Sequence, residues 1–263
     1  MEWDGIFLGH LPDGRFCDAL ERAAVQRGWY VRRTSTAEIR RISRAAWEAR
    51  LKPALDSSAM MRRQRSRLAA EGAIELEYVT EPAPVRRALS SFIRLHQESW
   101  AARGRVSPFE EPLRRRLIEE AIDRSTGRRQ VVVSSLRVGG ADVAMRLSFL
   151  FNGMAHLYAA AYNPRYARTS PGVLQLASLL EQLFATGTET VDLGFGDSPH
   201  KARFVGDRVC PIRNVVIYKR RQRYVEARLL ARCRAWADKH PRMLALGRSA
   251  KRFAFGPEEN AGE

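Results

Sequence analysis

Residues 130–193 read QVVVSSLRVGGADVAMRLSFLFNGMAHLYAAAYNPRYARTSPGVLQLASLLEQLFATGTETVDL. Three strand-like runs, 130–138, 141–151 and 154–161, are joined by Gly139-Gly140 and Asn152-Gly153. Two-residue hairpin turns favour such dipeptides, because both central residues take positive φ. The runs therefore predict an antiparallel three-strand meander. Beyond Tyr162-Asn163-Pro164 the apolar period lengthens, and Val173, Leu176, Ala177, Leu180, Leu183 and Phe184 mark one side of a helix from 171 to about 186, capped by Gly187. Residues 190–193 supply a further short strand. This order predicts an α+β unit with the helix N-terminus opening beside the sheet.

Upstream, 6–9 and 29–31 read as strands around a helix over 13–27, and Gly28 breaks the second junction. A segment around Trp47 (42–51) precedes a helix over 57–70, whose Arg62, Arg63, Arg65 and Arg67 share no single face and so suit solvent better than a phosphate stripe. Residues 74–79 alternate apolar and acidic side chains, the pattern of a half-buried strand, and Glu81-Pro82-Ala83-Pro84 then marks a domain boundary. Val85, Leu89, Phe92, Ile93 and Trp100 follow helical spacing with His96 on the same face, and a helix over 112–124 follows. Downstream come a strand over 209–219, basic helices over 222–239 and 242–253, and a tail, 256–263, expected to be disordered.

The chain has 263 residues, 45% hydrophobic and 28% charged, which excludes a disordered chain and allows two domains. No run approaches the ~18 apolar residues of a membrane span. The first residues carry no basic and apolar leader pattern, and three cysteines without C-x-x-C signal neither a disulfide framework nor a thiolate zinc site. A cytoplasmic protein without stable membrane insertion is expected. The net charge is +16, and lysine supplies only five of the 45 basic residues. Residues 31–71 carry net +7 and residues 201–252 net +13. Nucleic acid, a phosphate-rich cofactor, anionic lipid or solvent would each match that surplus.

Two clusters suit chemistry. Arg168-Thr169-Ser170-Pro171-Gly172 opens the helix with a hydroxyl at the N-cap, Pro at N1 and a glycine that lets a ligand approach the backbone. Its free N–H groups, with Arg165 or Arg168 nearby, suit a pyrophosphate, and equally an ordinary capped helix. Past the last short strand, residues 192–204 gather Asp192, Asp197, His200 and Lys201 with Gly194 and Gly196. A Lys or His there can stabilise an oxyanion or move a proton, and an Asp can orient an amine. Glycines and aspartates are also what a turn needs. His156 reads as a structural histidine, His96 lacks a second metal ligand at i+4, and Cys210 reads as inert; no metal is expected. GxSxG, Walker A and GxGxxG patterns are absent.

The order Leu95-His96-Gln97-Glu98-Ser99-Trp100 with Arg103-Gly104, Tyr158, Tyr162-Asn163-Pro164-Arg165-Tyr166, Ser170-Pro171-Gly172-Val173-Leu174, Gly187, Asp192-Leu193, Gly196-Asp197 and His200-Lys201 resembles the GNAT-like acetyltransferase domain of the CelD family, related to the Fem-type peptidyltransferases. Trp3-Asp4-Gly5-Ile6, Leu11-Pro12, Trp47-Glu48, Arg62-Arg63, Arg67-Leu68 and Gly72 resemble its usual lead-in, so the likeness runs from about residue 1 to 220. The resemblance implies an acyl-CoA N-acyltransferase fold: a mixed sheet flanked by helices, forming the second half of a tandem GNAT-like pair. Relatives carry roughly another hundred residues ahead of Trp3, so the first half here is incomplete. The implied organisation is a partial first half (1–80), the transferase domain (81–221), basic helices (222–255) and the tail (256–263).

The implied co-substrate is acetyl-CoA or another acyl-CoA, its thioester between the strands at 154–161 and 190–193. Tyr158, Arg168, Ser170 and Gly172 lie on the cofactor side. Lys201 would stabilise the reacting acyl group, with Asp192 and Asp197 orienting the acceptor, a small amine or hydroxyl compound or a saccharide in exopolysaccharide or cell-envelope synthesis. Two departures stand out: the usual Q/R-x-x-G-x-G/A pyrophosphate motif is replaced by Ser-Pro-Gly, and His200 stands where the family commonly has Tyr. The basic stretches leave open aminoacyl-tRNA as donor, as in Fem-type relatives, or a non-catalytic basic binding protein with a decayed site.

Overall fold

The computed structural model describes residues 3–12, 14–125, 128–194, 204 and 208–239. In order the elements are β1 (Gly5–Pro12), α1 (Arg15–Gln26), β2 (Tyr30–Ser43), α2 (Arg44–Ala46), a π-helical turn Trp47–Leu51, α3 (Lys52–Ser57) and α4 (Ala59–Ala69). They continue with β3 (Ile74–Val79), α5 (Pro82–Ala101), α6 (Pro112–Arg124), β4 (Val131–Val138), β5 (Ala141–Phe151) and β6 (Met154–Tyr162). Then follow α7 (Pro171–Ala185), β7 (Thr190–Asp192), β8 (Arg208–Tyr218) and α8 (Arg221–Lys239). The chain thus adopts the expected α+β architecture, divided into two compact units, Ala37–Cys210 and Met1–Thr36 with Pro211–Glu263. The Pro82 break falls inside the first of these, between β3 and α5. The expected helix over 242–253 and the tail lie outside the described residues.

In the Ala37–Cys210 unit the strand order is β2-β7-β6-β5-β4-β3. All neighbours run antiparallel except β6 and β7. The meander forms as the sequence predicts: Gly139 and Gly140 have φ of 55° and 82°, Asn152 and Gly153 of 48° and 72°, which is the primed-turn geometry that keeps twisted strands paired. Central strand β4 is buried at every position but Arg137, so its VVVSSLRV run reads as continuous rather than alternating. One face carries α5 and α6, whose Val85, Leu89, Phe92, Ile118 and Ile122 meet Val131, Val133, Met145 and Leu147. The other carries α7 and α4, with Trp47, Met61, Leu68, Leu176, Leu180 and Leu183 against Leu136, Val138, Ala155 and Leu157.

Helix α7 is fixed at its far end by a contact that sequence does not announce. Arg44 donates from Nη1 to the carbonyl of Phe184 in the last turn (2.6 Å) and from Nη2 to that of Thr188 in the loop beyond it (2.7 Å), tying the helix end to the connection into β7. Beneath the helix, Arg146 is 5% exposed and donates from Nε to Gln175 Oε1 (3.1 Å), while Gln175 Nε2 donates to Ser134 Oγ (2.8 Å).

In the other unit β1 pairs antiparallel with β8. Ala24 of α1 packs on Val215 and Ile217 of β8, with Leu8, Leu20, Trp29 and Val31 at the margin. Sequence reading ended the strand at Val31, whereas β2 runs on to Ser43.

Candidate functional site

The site is built where two parallel strands separate. β6 and β7 pair at Met154↔Thr190, Ala155↔Val191 and His156↔Asp192. β7 ends there while β6 continues to Tyr162. Gly194 sets the departure: it has φ 73°, and a Cβ on it would lie 2.5 Å from the Leu157 carbonyl oxygen, so only glycine fits this approach. Leu193 N–H donates to the Arg40 carbonyl (2.9 Å) across β2.

A bulge then turns β6. In its register with β5, Leu157 opposes Ser148 and Ala159 opposes Leu147, leaving Tyr158 without a partner. The parity of the strand consequently flips: Ala155 and Leu157 pack on the α7 side, Ala159 and Ala161 on the α5–α6 side. Tyr158 sits edge-on to Phe109 and Phe149 on that second side, and its hydroxyl accepts from Arg114 Nη1 (2.9 Å). His156, opposite in parity to Ala155 and Leu157, projects to the same side, with 48% of its side chain exposed.

Asp192 is 2% exposed, and each of its oxygens is engaged. Oδ1 accepts the Gly194 N–H (2.8 Å); Oδ2 lies 3.4 Å from Arg41 Nε and 3.6 Å from His156 Nδ1. Burial pushes the carboxyl pKa up, but His156, the Gly194 N–H and the Arg41 charge outweigh it and hold the group below its usual value. Asp192 is therefore a buried, ionised carboxylate beside Arg41 and His156, with almost no surface of its own open to solvent. The structure thus brings together Asp192, His156 and Arg41, of which sequence reading selected only the first. Direct register across three strands, Arg41↔Asp192 between β2 and β7 and His156↔Asp192 between β7 and β6, makes them neighbours, not any sequence spacing.

The α7 N-terminus lies at the end of the 3-10 turn Pro164–Thr169. Ser170 occupies the N-cap position in the left-handed region (φ 49°, ψ 49°) and its hydroxyl caps nothing, contrary to the hydroxyl cap expected from sequence. Left-handed backbone swings Oγ away from the first-turn N–H groups. A Cβ on Gly172 would meet no atom within 4 Å, and Arg168 is exposed without an ion pair among the described residues. The open first turn fits an anionic group. Lys201, Asp197 and His200 lie outside the described residues.

The His96 motif plays another part. His96 is 4% exposed, bonds through Nδ1 to Ser107 Oγ (2.9 Å) and stacks on Trp100. Burial and the Arg103 charge push its pKa down to about 4. Arg103 lies over both Trp100 and Tyr162, tying α5 to the end of β6. Among the described residues no group of His, Cys, Asp or Glu could hold a metal ion, and no helix is long and apolar enough to cross a membrane.

A mixed sheet flanked by helices, with one parallel strand pair that parts at its end, defines the α+β class. Residues 56–202 match the family described as Acetyltransferase (GNAT) domain; this is more than half of the chain, and the chain belongs to that family. Among solved structures, FemX superposes with a TM-score of 0.56 at 11% identity, covering 85% of this chain and 74% of that one. The C-terminal DUF2156 domain of an Agrobacterium fabrum protein, provisionally named a lysylphosphatidylglycerol synthetase, superposes with a TM-score of 0.51 at 17% identity over 80% of this chain. This chain spans 66% of that domain's length, just under two thirds. At such identities both likenesses speak to fold alone. A search of curated proteins finds no match.

Proposed function

We propose that this protein transfers an acetyl or other acyl group from acyl-CoA to an amine or hydroxyl acceptor, with His156 as general base and Asp192 as its positioning carboxylate. The observation that carries the reading is the half-exposed His156 beside buried, ionised Asp192 at the point where β6 and β7 part. An acceptor arriving from the α5–α6 side gives its proton to the imidazole, and its lone pair attacks the thioester carbonyl carbon. The oxyanion takes hydrogen bonds from donors along the splayed edge of β6, the C–S bond breaks, and the thiolate leaves and is protonated. The first turn of α7, with Ser170, Gly172 and Arg168, holds the phosphates of the donor, and Tyr158 borders its acyl end.

By resemblance, Lys201 stabilises the reacting acyl group and Asp197 helps orient the acceptor. The CelD likeness also supports a saccharide acceptor in polysaccharide or envelope synthesis and a tandem GNAT-like arrangement. Net charge +16 favours a second reading in which the donor is aminoacyl-tRNA.

Thermal unfolding with and without acetyl-CoA tests the donor. At about a hundred times its dissociation constant the ligand stabilises the fold by about 2.7 kcal/mol. A salt-tolerant shift, with thiol release that falls at least ~100-fold in His156→Ala, supports the proposal. No shift with acyl-CoA, and steeply salt-dependent tRNA binding instead, moves the assignment to the second reading.

A further inference from the structure

Outside the family-matched segment, the unit of residues up to Thr36 and from Pro211 contains a recess of about 860 Å³ walled by α1, β2 and α8. Its charges do not cancel. Glu21, 3% exposed, pairs with both Arg33 and Arg213, and Asp18 lies 3.7 Å from Arg213, so two carboxylates meet two guanidiniums. Arg22, Arg32 and Arg228 line the same recess, and none of the three has an ion pair among the described residues. Arg32 Nε is buried with no hydrogen-bond partner. Arg228 is held in place over the Tyr224 ring (5.6 Å), and that ring stacks in turn on Tyr30 (5.6 Å).

Three uncompensated guanidiniums around one concavity repel one another, and a buried donor left unpaired is costly. Guanidinium forks match phosphate oxygens bidentately, and the volume lies within the range of small-molecule pockets. We propose that this recess binds a small ligand carrying a diphosphate or triphosphate group, at a site separate from the first turn of α7.

Calorimetric titration of the full chain with ADP and with inorganic tripolyphosphate at physiological salt tests this. In the Arg168→Gln background, which takes the α7 turn out of the count, both probes are expected to bind with one site per chain, and ADP binding tighter than tripolyphosphate identifies the source as a nucleotide rather than free polyphosphate. Arg32→Gln and Arg228→Gln each weaken binding about tenfold, as does Arg22→Gln, whose exposed position keeps the fold intact. Arg124→Gln, on a side chain 83% exposed in the other unit, leaves it unchanged. Equal weakening by Arg124→Gln overturns the proposal, as does absence of binding. Binding of a 12-nucleotide RNA tenfold tighter than ADP, lost in the same variants, also overturns it in favour of a nucleic-acid groove.

Discussion

Replacing Asp192 by Asn removes one charge from a buried cluster while keeping the side chain's shape. Oδ1 can still accept the Gly194 N–H (2.8 Å), but the new amide faces Arg41 Nε and His156 Nδ1 with donors where an acceptor stood. The Arg41 side chain is 19% exposed, so its lost charge-assisted bond costs about 1.5–3 kcal/mol. His156 is 48% exposed and solvent screens its pairing, which adds less than about 1 kcal/mol. A loss of about 2–3 kcal/mol is expected at pH 7, measured by urea or thermal unfolding, with a Tm drop on the order of 5–10 °C. The native pKa of Asp192 is depressed, so its stabilisation is present above the unfolded value of about 3.9 and disappears as pH falls through the native value. The difference between wild type and Asp192→Asn must therefore shrink in acid. A stability gap that stays constant from pH 7 to pH 3, or a loss below about 0.5 kcal/mol at neutral pH, would refute the electrostatic account.

Gly194→Ala forces positive φ on an L-residue and a Cβ onto the Leu157 carbonyl; a loss of about 2–4 kcal/mol by chemical unfolding is expected, and a change under about 0.5 kcal/mol contradicts the assigned backbone. His96 titrates near 4 when folded and about 6.5 when unfolded, so the unfolded chain binds more protons between those values and stability falls as pH drops from 6.5 to 4. The lost stabilisation is about 2–3 kcal/mol, and His96→Phe should flatten that limb of the stability–pH curve. Arg44→Ala removes the guanidinium donor from the Phe184 and Thr188 carbonyls, and hydrogen exchange should show earlier opening at the C-terminal turn of α7, with about 1.5–3 kcal/mol lost. Tyr158→Phe deletes only the bond from Arg114; stability should change by less than about 1 kcal/mol while KM for the acyl donor rises, and an unchanged KM removes Tyr158 from the donor side.

Local rules made much of the sheet legible. The Gly139-Gly140 and Asn152-Gly153 turns, the alternation of residues 74–79 and the apolar stripe of α7 each rest on neighbours within a few positions, and all of these elements form. The continuation of β2 past Val31 was not legible, because paired arginines carry the same composition in a loop and at a strand margin. Tyr158 drew notice as a motif residue, yet the bulge that turns it toward Phe109 and Phe149 depends on its register with β5.

Sequence by itself determined the α+β class, the two hairpin turns of the meander and the placement of a glycine-opened helix after β6, because turn chemistry and hydrophobic period act over short distances. Tertiary structure alone decided that His156 and Asp192, thirty-six positions apart, share a parallel register, and that Arg41 from β2 completes the cluster. It also decided that Arg44 ties down the end of α7 and that three arginines from α1, β2 and α8 converge without acidic partners among the described residues. Strand neighbours and the surroundings of a charge follow from which segments the whole core brings together, and no local pattern encodes that choice.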